Sequence, residues 1–104
     1  MNDAQKTVMD FNIDNGLQMD AHIRLLDLQS ELGELAKEHL ELTDYGRSNF
    51  AESPEWGEEL GDLYYSLLSL SCETGTDLDD ALGGVLDKYA KRIEGRQNPG
   101  SGGQ

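Results

Sequence analysis

Apolar residues recur along this chain at intervals of three and four, and the recurrence divides it into four helical segments. The first covers roughly Ala4 to Ile13, with Val8, Met9 and Phe11 as its apolar positions, and Asn15-Gly16 ends it. The second and longest runs from about Gln18 to Thr43, where Leu25, Leu28, Leu32, Leu35 and Leu42 form an apolar stripe. Residues 44–52 (DYGRSNFAE) break the periodicity and read as a loop. Ser53 is a good N-cap, Pro54 suits the first helical position and Glu55 complements the helix dipole, so a third helix starts there. It carries Trp56, Leu60, Leu63, Leu67 and Leu70 and stops at Gly75. Thr76 or Asp77 caps a fourth helix, which runs to about Glu94 with Leu78, Leu82, Val85, Leu86 and Tyr89. The pattern predicts one all-α domain over residues 1–95. The segment 96–104 is too rich in Gly and Pro to stay helical and is expected to be a disordered tail.

Composition narrows the class. A chain of 104 residues with 37% hydrophobic content fits one domain with a limited core, which leaves room for an oligomer that shares its core. Sparse β-branched and aromatic residues argue against a sheet protein. The formal net charge of -13 repels nucleic acid polymers and anionic membranes. An acidic coat of this kind suits a halophile-like protein working at high internal salt, where self-repulsion is screened. Cys72 is the single cysteine and has no partner for an internal disulfide, so it reads as a small core residue in a reducing compartment. No basic-then-apolar leader opens the chain and no apolar run reaches membrane-spanning length, so a cytoplasmic protein is expected.

The candidate chemistry lies in carboxylates placed beside the leucine stripes. On the second helix, Glu34 follows Glu31 by three residues and Glu38 follows by four more, so the three share one face, bordered by Leu28 and Leu35. On the third, Asp62 follows Glu59 by three, and Trp56 and Leu63 adjoin them. Like charges at these spacings repel, and carboxylates at the rim of a core lose hydration. If the two stripes pack together, four to six carboxylates converge and need cations, and an all-oxygen donor set favours Mg2+ or Mn2+. In so acidic a chain a single such pair is more simply a solvated face; two pairs flanking two stripes shift the balance. A di-iron bundle normally draws on Glu-x-x-His, and neither His22 nor His39 has a Glu three residues before it. Both histidines read as surface or rim residues.

The run Leu28-Gln29-Ser30-Glu31-Leu32-Gly33-Glu34-Leu35-Ala36, then 24 residues after Glu34, then Glu59-Leu60-Gly61-Asp62-Leu63, resembles the paired acidic motifs of the MazG-like all-alpha NTP pyrophosphatases. Ser30 stands where the family's first motif has an additional acid. A closing segment with Lys88, Lys91 and Arg92 is similar to the family's last helix, and the likeness spans roughly Gln18 to Arg92. Four of the eight basic residues, Lys88, Lys91, Arg92 and Arg96, gather there, more than a helix dipole requires.

The resemblance implies a four-helix bundle-like domain that assembles through helix packing into a homodimer or a dimer of dimers. It implies Mg2+-dependent hydrolysis of nucleoside triphosphates, non-standard or deoxy ones included, to monophosphate and pyrophosphate. Glu31, Glu34, Glu59 and Asp62 are then the metal ligands, with Mn2+ as an alternative ion. Glu38, one turn beyond Glu34, is the candidate to hold or deprotonate water. Lys88 and Arg92 would meet the phosphates. Trp56 and Tyr64 are weaker candidates for stacking on the base, and core packing explains Tyr65 better. The competing expectation is a non-catalytic acidic helical module that binds metal or a basic protein partner.

Overall fold

Capping chemistry sets the helix boundaries. The computed structural model describes residues 1–97, and among these it has four helices and no strands: α1 Asp3–Asp14, α2 Ala21–Leu42, α3 Pro54–Glu73 and α4 Leu78–Gln97. The Asn2 side chain caps α1 by accepting from the Gln5 amide at 2.7 Å, and Ser53 caps α3 by accepting from the Trp56 amide at 3.1 Å. Asp77 is the residue that caps α4, its Oδ1 accepting from the amides of Asp79 and Asp80 at 3.0 and 3.2 Å. Helices α1, α2 and α3 all end in the same way: a left-handed residue lets the next amide reach back to a carbonyl five residues earlier. Gly16 (φ 65°) and Gly75 (φ 66°) fill that position after α1 and α3, and Asp44 (φ 48°) fills it after α2. Asp tolerates this conformation better than most residues, which is why the end of α2 carries no glycine signal.

Two boundaries differ from the periodic pattern. Helix α2 begins three residues later than expected, at Ala21 rather than Gln18, and the Met19 amide instead reaches Glu73 Oε1 at 3.4 Å. Helix α4 continues through Arg96 to Gln97, into the segment expected to be a tail; the rest of that segment, residues 98–104, lies outside the described residues.

Helix α3 is the central element. It packs along α2 and, less extensively, along α1, whereas α4 diverges and has no comparable packing against the other three. The interior differs from the expected leucine core. Among the described residues Leu68 is the only fully buried apolar residue, at 3% exposure. Leu25 and Leu32 of the α2 stripe face outward, while Leu28, Leu35 and Leu42 are half-buried. The five leucines fan across too wide an arc for one neighbour to cover, so only the part facing α3 is sheltered. Phe11, Leu60 and Leu67 are likewise exposed, as are Leu82, Leu86 and Tyr89 on α4.

Small and amide side chains fill the interior instead. Ser66, Ser69 and Ser71 are buried on α3, where their size lets neighbouring helices approach. Asn12 of α1 donates to Ser69 Oγ at 3.0 Å and accepts from the Tyr65 hydroxyl at 2.5 Å, so Tyr65 is occupied in packing α1 on α3. The Arg24 guanidinium is buried, lies over the Tyr65 ring and donates to the Leu17 carbonyl. Gln5, 1% exposed, bridges the α3–α4 turn: its Nε2 donates to the Thr76 carbonyl at 2.6 Å and its Oε1 accepts from the Leu78 amide at 3.1 Å. Cys72 is half-buried beside the Gln5 carbonyl. No helix among the described residues is long and apolar enough to cross a membrane.

The Gln5 bridge leads to a stability prediction. Gln5→Ala leaves the part-buried Thr76 carbonyl and Leu78 amide to water and removes two bonds that tie α1 to the turn, so it should cost about 1 kcal/mol. Urea denaturation measures this, and a loss of only a few tenths would mean that the bridge does not hold the turn.

Candidate metal centre

The helical spacing of Glu31 on α2 and of Glu59 and Asp62 on α3 turns these side chains toward the seam between the two helices. One carboxylate oxygen from each residue lies within 4.8 Å of the other two. Glu31 and Glu59 are half-buried and Asp62 is exposed. Octahedral Mg2+ holds oxygens at 2.0–2.1 Å, so opposite ligands stand about 4.2 Å apart. Only one pair of three octahedral ligands can be opposite, and adjacent ones stand about 2.9 Å apart, so the side chains would close by up to about 2 Å to share one ion. The donors are all hard oxygens, which fits Mg2+ or Mn2+ and disfavours softer metals.

Electrostatics extends this cluster. Loss of hydration raises the Glu59 carboxyl above its ordinary value, and the charges of Asp62, Glu34, Glu31 and Glu38 add to the shift. Loss of hydration likewise raises Glu31, with Asp62, Glu34 and Asp27 adding to it. Glu34 and Glu38 therefore share the field of the triad, although Glu34 is exposed and lies outside the close group. Asp27 is a member that the acidic pairs did not single out. It sits four residues before Glu31, one turn back on the same face. Its spacing was readable, but a Leu-rich stretch with one acid per turn resembles any solvated helix.

The remaining candidates lie elsewhere in the single chain. Lys88 and Arg92 are on α4, with their cationic groups 5.4 and 5.6 Å from the centre of the Tyr89 ring. Since α4 diverges from α2 and α3, intrachain packing does not carry them to the carboxylates. Tyr64 follows Asp62 by two residues and so points to the other side of α3, where it lines an apolar notch with Leu67, Leu78, Leu82 and Val85. Trp56 is half-buried beside Phe50 (5.1 Å between ring centres) and His39 (5.8 Å), and His39 stacks on Phe50 at 5.6 Å. This aromatic group stands one turn before Glu59. Phe50 comes from an irregular loop, where no periodicity marks a contact. Comparison with known protein families, characterised proteins and solved structures finds no match to this chain.

The raised carboxyls fix a sign. Their folded-state values lie above the unfolded ones, so their contribution to stability is full below the ordinary Glu range and is lost as pH rises through the folded values. At pH 7, without divalent ions, Glu59→Gln should therefore raise the melting temperature above wild type, and the advantage should vanish near pH 4. Mg2+ should raise the melting temperature of the wild type and leave the variant unmoved. Equal Mg2+ responses in the two proteins would mean that Glu59 holds no ion.

Proposed function

We propose that this chain is a Mg2+-dependent nucleoside triphosphate pyrophosphohydrolase of the MazG-like type, acting in the cytoplasm as a homo-oligomer. The observation that carries the reading is the convergence of Glu31, Glu59 and Asp62 from two helices onto one 4.8 Å cluster. Its supports are the order and spacing of the two acidic motifs and the basic closing helix.

In this reading Glu31, Glu59 and Asp62 would hold the ion, with Glu34 at the edge of the set. When bound, such an ion would supply charge neutralisation at phosphate oxygens and a more acidic water. Glu38, half-buried and within the field of Glu59, is the group to orient that water or take its proton. Lys88 and Arg92 neutralise the departing pyrophosphate once α4 is brought to the carboxylates, which a second subunit would accomplish. Trp56, with Phe50 and His39 packed against it, is the aromatic group for a base near the same end of α3. Tyr64, on the opposite side of α3, is the weaker candidate for that role.

A panel of common and modified nucleotides, incubated with Mg2+ and scored for monophosphate and pyrophosphate, tests the activity. Release of both from at least one nucleotide is expected, with Glu59→Gln and Asp62→Asn slowing it roughly 100-fold or more while helicity is kept. No pyrophosphate from any nucleotide, with either Mg2+ or Mn2+, would overturn the catalytic reading. Saturable metal binding without turnover would point to the non-catalytic metal module.

A further inference from the structure

Two helical faces of this chain lack partners. Helix α4 carries Leu82, Leu86, Tyr89 and Ile93 at steps of four, three and four, and the first two are 56% and 57% exposed. The outward side of α3 carries Leu60, Tyr64 and Leu67 at steps of four and three, all exposed as well. The faces diverge from the α3–α4 turn and leave a notch of about 360 Å³ lined by Tyr64, Leu67, Leu78, Leu82 and Val85. The Gln5 side chain bonds to both sides of that turn, at the Thr76 carbonyl and the Leu78 amide, and so ties the turn to α1.

Neither face is stable as it stands. Gly83 and Gly84 inside α4 each cost roughly 1 kcal/mol of helix stability relative to Ala, and helices in proteins draw most of their stability from packing an apolar face, which α4 does little of within the chain. Gly57 and Gly61 border the α3 stripe, and a Cβ at either would meet nothing within 4 Å. No contact inside the chain requires glycine there, whereas close approach of another helix would. The chain's solvent-accessible surface is 7420 Å², against about 5800 Å² for a compact monomer of its mass. The difference exceeds the roughly 800 Å² that one partner gives to a standard interface. The radius of gyration, 18.1 Å, likewise exceeds the roughly 13 Å of a compact domain of this length.

We propose that the outward face of α3 receives α4 of a second copy of this chain, and that the second copy's α3 receives α4 in return. The proposal specifies the surface behind the self-association in the reading above and is independent of catalysis. The two stripes match in spacing, and the exchange makes a closed two-fold contact that covers both at once. Charge favours the same occupant. Lys88, Arg92 and Arg96 lie along one edge of the α4 stripe, and Lys91 faces away and pairs with Asp87 at 3.1 Å. Glu59 adjoins Leu63 at the rim of the α3 face, and among the described residues no lysine or arginine pairs with a carboxylate of α2 or α3. Another copy of the chain therefore supplies both the missing stripe and the missing cations. Partners of other chemistry would have to match two different faces.

The test is the oligomeric state of the full chain and two variants, by sedimentation equilibrium at high salt, where repulsion between acidic chains is screened. Wild type should be a dimer or a pair of dimers. Leu86→Glu places a charge in the α4 stripe, and Gly61→Met places a side chain on the α3 face; each should weaken the dimer roughly 30-fold or more. Leu86→Glu lies outside the packing of α1–α3, and a Cβ at Gly61 meets nothing within 4 Å, so far-UV circular dichroism should retain that helicity. A monomeric wild type overturns both the exchange and the self-association in the functional reading. A dimer unmoved by both variants overturns the assigned surface alone. A dimer broken by Leu86→Glu but not by Gly61→Met overturns the pairing of α4 with α3 and indicates α4 packing on α4.

Discussion

The packing of α2 against α3 is the contact on which the rest of the structure depends. It is the broadest helix pairing in the chain, and it shelters Leu28 and Leu35, which flank Glu31 by three and four residues. Helical geometry then leaves no choice about the acids: whatever brings these leucines to α3 brings Glu31 to Glu59 and Asp62. Burial of the stripes therefore opposes the electrostatics of the rim. Glu31 and Glu59 lose hydration and face like charges, so the fold holds a cost at this seam.

The rest of the molecule shows how little core one chain of this size can assemble. Its deepest described positions are filled by Gln5, Asn12, Arg24 and three serines, with Leu68 the one leucine among them. These side chains act as connectors: Asn12 links α1 to Ser69 and Tyr65, and Gln5 links α1 to the turn before α4. The leucines that would make a conventional core lie mostly on outward faces, where a second subunit could bury them. The half of the basic residues carried by α4 is also separated from the acidic cluster within one chain. Apolar burial and charge balance thus point to the same incompleteness.

Local features were legible in the sequence, and tertiary ones were legible only in part. The cap at Ser53 and the stops at Gly16 and Gly75 follow from backbone chemistry within a few residues, so pattern alone located them, and it narrowed the cap of α4 to Thr76 or Asp77. The convergence of Glu31, Glu59 and Asp62 was readable because their spacing and their flanking leucines constrain each helix to one orientation. The inward and outward members of a wide stripe were not separable: Leu25 and Leu28 look alike until the direction of α3 is known. The buried polar residues left no signal, since Gln5 and Asn12 have the composition of a surface helix. Asp27 and Phe50 needed three-dimensional neighbours to matter. The reaction assigned to the carboxylates comes from the family resemblance, and the geometry supports only the metal-binding part of it.

The central claim is that α2–α3 packing builds a cation site from Glu31, Glu59 and Asp62. Electron paramagnetic resonance of Mn2+ titrated into the full chain tests it directly, because bound Mn2+ loses the sharp signal of the free aqueous ion. Saturable loss of that signal at about one or two ions per chain is expected, displaced by Mg2+ and abolished in Asp62→Asn. A signal that stays that of free Mn2+, or non-saturating loss identical in Asp62→Asn, would contradict it.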